Sequence, residues 1–274
     1  MLRITLHRAY LPDASATLEQ RPPRPPSLLK RIFTRRLFWL LWIAGVTSFI
    51  AIWLHPVSDD RTRMVGAILV PSLWLYLLIL TWRYHATRYV LLVCTLIAGL
   101  LLSLPGRAHR NPSLLRSDFV SGLRRYQGVP YFWGGESPKG IDCSGLMRRG
   151  LIDGMFIRGV LSADPGLVRY SLSLWWHDCT AADLGSGRGD TSRRFTVRSI
   201  NVLDHSRVLP GDLAVTTSGA HVMAYLGDRS WIEADPTIRH VVIVPAPSQD
   251  NPWFSTPMNI VRWNILSDPS KTTP

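Results

Sequence analysis

The sequence is short of charge, of acid and of cysteine. Charged residues make up 18% of 274 positions and hydrophobic ones 46%, where about a quarter charged is usual. With a mean hydropathy of +0.09, that excludes a disordered chain. Three cysteines cannot build a disulfide framework. The glycine-rich stretch 185–189 lacks the lysine and the strand–helix context of a phosphate-cradling loop. His177, His205 and His240 have no second Cys or His at metal-ligand spacing, so no metal or other cofactor is expected. No internal repeat is visible. The length allows one or two domains at about 100–200 residues each.

The scarcity of acid leaves a net charge of +12, which suggests nucleic-acid binding until the charge is located. Residues 1–109 hold 13 Lys and Arg against 4 Asp and Glu, whereas 110–274 hold 18 against 15. The basic excess therefore flanks apolar runs, which reads as membrane topology, and no nucleic-acid partner is expected.

Those runs are 37–54, 64–82 and 89–104, of 18, 19 and 16 residues, none containing a charge. A crossing helix needs about 20 residues, within a range near 17–25. Three such runs in series leave no polar face to meet water. Trp39, Trp53, Trp82, Tyr84 and Tyr89 stand at their ends, where amphipathic rings favour the membrane interface. Pro71, inside the second run, predicts a kink. The first run starts too late and is too long for a cleavable signal peptide, and no small-residue cleavage site follows it.

Residues 1–36 form a basic, proline-rich tail centred on Arg21-Pro22-Pro23-Arg24-Pro25-Pro26, expected to be extended. It reads as a cytoplasmic tail, with a proline-rich ligand for a partner domain as the alternative. Arg21, Arg24, Lys30, Arg31, Arg35 and Arg36 precede the first run and favour the N-terminus inside. Loop 55–63 is balanced by Asp59 and Asp60 against Arg61 and Arg63, and 83–88 carries Arg83 and Arg88. That places 105–274 outside, although Arg107, Arg110 and Arg116 pull the other way.

From about residue 111 the composition is that of a soluble domain of one core. Leu114, Leu115, Phe119, Leu123 and Tyr126 have helical spacing, a glycine-rich turn follows over 128–140, and a second helix runs from Asp142 to about Val160. Segment 161–205 is less regular and contains Trp175-Trp176-His177. Short β-rich runs follow at 212–217, 221–226, 231–234, 241–244 and 260–266, with turn signals at Pro210-Gly211-Asp212 and Gly227-Asp228. Helices first and consecutive strands after predict α+β with an antiparallel sheet.

Cys143 lies at a helix start in Gly140-Ile141-Asp142-Cys143-Ser144-Gly145-Leu146. Free backbone N–H groups and the helix dipole favour a thiolate there and can receive an oxyanion. His221 begins an otherwise apolar strand, and Glu233 follows twelve residues later on the next. Even spacing across a hairpin puts both on one face. Glu233 can then orient the imidazole, leaving the other nitrogen to take the thiol proton. Asp235 has the same parity and is the rival orienter.

Gly128-Val129-Pro130-Tyr131-Phe132-Trp133-Gly134-Gly135, then Asp142 to Leu146, then Pro210-Gly211-Asp212-Leu213, then His221-Val222 with Tyr225-Leu226-Gly227, resemble the NlpC-type family of papain-like cell-wall cysteine peptidases. The four motifs stand in the family's order over about 110–245. The resemblance implies an α+β papain-like domain over 105–274, preceded by three transmembrane helices over 37–104. It implies a cysteine peptidase cleaving amide bonds in peptidoglycan stem peptides or cross-links, with no cofactor. Carried over, Cys143 is the nucleophile, His221 the base and Glu233 the third residue, where the family more often has a second histidine. Tyr131 matches the tyrosine near the nucleophile that helps hold oxyanion or substrate; Asp142 and Ser144 are candidate substrate contacts.

The expectation is a multi-pass protein of the bacterial cytoplasmic membrane with its hydrolase domain on the extracytoplasmic side, open to an envelope protein partner. The alternatives are a related Cys–His acyltransferase or amidase acting on lipid or protein amides, and a catalytically silent cell-wall binding module.

Overall fold

The computed structural model describes residues 28–55, 57 and 60–268, with the side chains of 28–35 and 60 left aside. The proline-rich centre of the predicted tail lies outside them. The chain divides into two compact units, Met1–Leu40 and Leu41–Pro274. The described part of the first is helical, and the remaining elements lie in the second.

Three long helices come first: α1 (Leu28–Trp53), α2 (Asp60–Thr81) and α3 (His85–Ser103). All are long and apolar enough to cross a membrane. The first starts nine residues before its apolar run, because charged residues such as Lys30 and Arg31 propagate a helix as well as apolar ones do. Pro71 sits inside α2. The last carbonyls of α3 are not left bare: Arg169 Nη1 donates to the oxygens of Leu102 at 2.8 Å and Leu104 at 2.6 Å.

Next come α4 (Pro112–Arg124), the two-residue strands β1 (Glu136–Ser137) and β2 (Gly140–Ile141), and α5 (Cys143–Leu161). Asn111 caps α4 and Asp142 caps α5, each accepting from a first-turn backbone N–H. The two helices pack unusually close. A Cβ on Gly150 would stand 2.7 Å from a Leu123 methyl, and one on Gly122 would stand 2.2 Å from the Gly150 carbonyl.

Segment 161–205 is more regular than its sequence suggests. It holds α6 (Pro165–Trp176), α7 (Ala181–Ser186) and the edge strand β3 (Thr191–Val197). Trp175 and Trp176 end α6, and His177 is its C-cap.

The remaining strands are β4 (Leu213–Thr216), β5 (Val222–Gly227), β6 (Ser230–Asp235), β7 (His240–Pro245) and β8 (Met258–Trp263). With β3 they form one antiparallel sheet in the order β3-β8-β4-β5-β6-β7. Both faces are covered. Leu213, Val215, Val222, Ala224, Ile232 and Val261 meet Phe119, Leu146 and Leu151 of the helices. Ala214, Met223, Tyr225, Trp231 and Ile260 meet Ile200, Leu203, Val208 and Phe254 on the other side. This explains why these strands read as apolar runs without polar alternation. The domain is thus α+β: helices packed on an antiparallel sheet, after three apolar helices.

Candidate active site

Cys143 is the first residue of α5, 8% exposed. The preceding turn is tied down by Asp142. Its Oδ1 accepts from Gly145 N at 2.6 Å and from Ser144 Oγ at 3.0 Å, and its Oδ2 from Gly134 N at 2.9 Å. Burial raises the Asp142 pKa against these stabilising bonds. From behind, Asp142 N donates to the Gly135 carbonyl at 3.0 Å. Gly145 sits so close to that oxygen that a Cβ would meet it at 2.2 Å. The glycines around Cys143 are therefore required by close backbone approach.

His221 precedes β5, 1% exposed. Thr216 holds its backbone: Oγ1 accepts from His221 N, and Thr216 N donates to the His221 carbonyl, both at 3.0 Å. Tyr225 and Trp231 are register partners, and His221 stands four residues from the one and Glu233 two from the other, so the two share a face. His221 Nε2 lies 2.5 Å from Glu233 Oε2, with Glu233 fully buried. The Cys143 thiol lies close enough to the imidazole to raise its pKa. Burial alone would lower the His221 pKa. The hydrogen bonds and charges of Cys143 and Glu233 overcome it and push the value up to about 9.

Asp235, the rival orienter, faces elsewhere. Its Oδ1 accepts from the backbone N–H of Thr237 at 2.6 Å and of Ile238 at 3.2 Å, closing the turn into β7.

Two neighbours of the histidine escaped the sequence reading. Asn251 donates its side-chain amide to Glu233 Oε1, so both carboxylate oxygens are engaged. The Asn251 side chain also accepts from Trp253 N at 3.0 Å, starting the short 3₁₀ turn Pro252–Ser255. That turn lays the Trp253 ring on His221, with centroids 4.3 Å apart and planes at 17°. The Asn-Pro dipeptide at 251–252 is a turn signal that would have located the turn but not its neighbours.

Tyr131 is held by its own N–H to the Arg239 carbonyl at 2.8 Å. Burial, then the charges of Cys143, Asp142 and Asp235, push its phenol up to about 12. It is a hydrogen-bond donor at any ordinary pH, close enough to Cys143 to feel its charge. Burial also pushes the Cys179 thiol up to about 11, so that cysteine stays protonated. Among the described residues no cluster of three or more His, Cys, Asp or Glu is placed to hold a metal.

Residues 128–157, which contain the glycine-rich turn and the helix start at Cys143, match the family model of the NlpC/P60 family. The resemblance read from the motifs is to this same family. Comparison with curated proteins gives no significant match. Among solved structures, the chain is similar to the peptidoglycan hydrolase RipB of Mycobacterium tuberculosis, with 20% identity over 62% of this chain and 77% of that one and a TM-score of 0.39. It is similar to the P60 domain of an antigen of Mycobacterium avium subspecies paratuberculosis, with 20% identity over 56% and 96% and a TM-score of 0.36. It is also similar to NlpC2 of Trichomonas vaginalis, with 18% identity over 57% and 48% and a TM-score of 0.35. The chain thus spans about half the length of the last of these.

Proposed function

We propose that the chain is a membrane-anchored cysteine hydrolase that cuts amide bonds in peptidoglycan stem peptides or cross-links. The observation that carries this reading is the buried His221–Glu233 pair, near enough to Cys143 for the thiol to raise the imidazole's pKa and set beside the NlpC/P60 match over 128–157. A thiol is a usable nucleophile only with a base to take its proton, and the base works only in one orientation. Here Glu233 and Asn251 fix the ring from one side and Trp253 from its face.

In the reaction, Cys143 attacks the amide carbonyl while His221 holds the thiol proton. The backbone N–H groups at the start of α5, with the Tyr131 phenol, receive the oxyanion. His221 then protonates the leaving amine, and water activated by the same ring releases the acyl group. Asp142 holds the nucleophile's turn, and Ser144, partly exposed beside it, is offered to substrate.

Three crossings would put the α1–α2 connection and everything after α3 on one membrane side. Contact between Val57 of that connection and Gly135 of the domain supports this arrangement, and the basic flank of the first helix supports that side being outside. Reporter fusions after Gly106 should be active only with a periplasm-competent enzyme; activity of a cytoplasmic reporter there would overturn the orientation.

The hydrolase reading is tested by incubating the full chain in detergent with purified peptidoglycan and analysing the products by mass spectrometry. New amino and carboxyl termini within stem peptides, each cut adding one water, are expected. Intact peptides, or cleavage confined to the glycan, would overturn it.

A further inference from the structure

The nucleophile's helix stands on a cluster of charges that the reaction does not use, buried except for Asp178, and one of them comes from the membrane segment. Arg63, in the first turn of α2, is 2% exposed. Its Nη2 donates to Glu136 Oε2 at 3.0 Å and lies 3.5 Å from Asp178 Oδ2. Arg148 of α5, 1% exposed, engages the other Glu136 oxygen and donates to Asp178 Oδ1 at 2.8 Å. Its Nη2 donates to the carbonyls of Leu174 at 2.7 Å and His177 at 2.9 Å. Two guanidinium groups thus meet the buried Glu136 carboxylate, one at each oxygen, with the exposed Asp178 at the edge. Leaving a buried ion without its partner costs far more than an intact pair contributes.

These residues bear directly on the nucleophile's turn. Glu136 follows Gly135, whose carbonyl receives Asp142 N and packs against Gly145. Arg148 is on α5, whose first residue is Cys143. From the α1–α2 connection, Val57 pairs with Gly135 in an antiparallel bridge. The membrane hairpin therefore grips the residue behind the nucleophile and hydrogen-bonds the buried carboxylate beside it.

We infer that Arg63 is a positioning residue for Cys143, and that the α1–α2 hairpin is a working part of the catalytic unit as well as its anchor. The inference builds on Cys143 being the nucleophile under the proposed function. Arg63 touches no substrate; it acts through Glu136 and Arg148. Loss of its charge would let β1 and the start of α5 shift, and displacements of about 1 Å cost on the order of 10²-fold in a reaction of this kind.

The test is the rate of iodoacetamide alkylation of Cys143 at pH 7 in the full chain in nanodiscs, read by peptide mass spectrometry with Cys179 as internal reference. Wild type is compared with Arg63→Met, Arg63→Lys and the double variant Arg63→Met/Glu136→Gln, which also removes the carboxylate charge that Arg63 meets. Arg63→Met should slow Cys143 about tenfold or more while Cys179 stays slow, and Arg63→Lys should fall between. The double variant should return to within about threefold of wild type, a rescue that a mere loss of packing would not give. Alkylation of Arg63→Met at the wild-type rate would overturn the inference, as would a double variant as slow as the single one. If Arg63→Met unfolds, seen as fast labelling of Cys179, the double variant decides: rescue supports the inference and no rescue overturns it. Because alkylation needs no substrate, normal labelling without peptidoglycan cleavage would count against the hydrolase reading alone.

Discussion

The side-chain amide of Asn251 donates to Glu233, and Glu233 in turn binds His221 at 2.5 Å. One uncharged residue therefore fixes a fully buried carboxylate with its second oxygen turned to the imidazole. Without that bond, the freed Oε1 would be left buried and unpaired, a cost of about 1–3 kcal/mol.

Glu233→Ala should lower kcat by about 10–10³-fold, roughly 1.4–4 kcal/mol of transition-state stabilisation. Asn251→Ala should lower it about tenfold, because the carboxylate remains but loses its fixed direction. Asp235→Ala should change kcat by less than about threefold, since Asp235 serves the turn at 237–238. Steady-state kinetics with a melting curve for each variant checks the order. A silent Glu233→Ala beside a damaging Asp235→Ala in a folded protein would reverse the assignment.

The His221 pKa is pushed from 6.5 up to about 9. In the fold the imidazolium therefore persists until pH rises through about 9, and the stability it contributes is full below about 6.5. The stabilisation that this group adds to the fold is lost over the same window. In kcat/KM the alkaline limb should fall near 9. Glu233→Gln removes one of the groups that raise the value, so its limb should move down toward 6.5. A limb at the same pH in both proteins would contradict the role of Glu233.

The nucleophile's surroundings were legible because chemistry and backbone demand coincide in one short stretch. Gly135, Asp142 and Gly145 are dictated by close approach and capping, and they lie within eleven residues of each other. Strand parity made Glu233 and Asp235 equal candidates for His221, and only the structure's hydrogen bonds separate them. Asn251 is eighteen residues from Glu233, beyond β7, and no periodicity joins them. Segment 161–205 hid two helices and a strand. Its helices are short and held by outside partners, as α6 is by Arg148, and β3 has exposed arginines where an inner strand would be apolar. Arg63 reads as a membrane flank in sequence, and only the tertiary structure turns it toward Glu136.

The sequence makes Asp142 a candidate substrate contact, but three donors already occupy its carboxylate. Asp142→Ala should therefore destabilise the fold by about 1–2 kcal/mol through loss of the cap, roughly 2–8 °C in Tm for a unit of this size. Asp142→Asn keeps one acceptor and should recover most of it. An Asp142→Ala variant that melts as wild type does, while KM alone rises, would favour substrate contact instead.

The central claim is that Cys143 carries the acyl group. The full chain mixed with stem-peptide fragments, acid-quenched within one turnover and digested for mass spectrometry, should show an acyl adduct on the peptide containing Cys143 and none on that containing Cys179. Product formed with no adduct at Cys143, or formed equally by Cys143→Ala, would contradict the account.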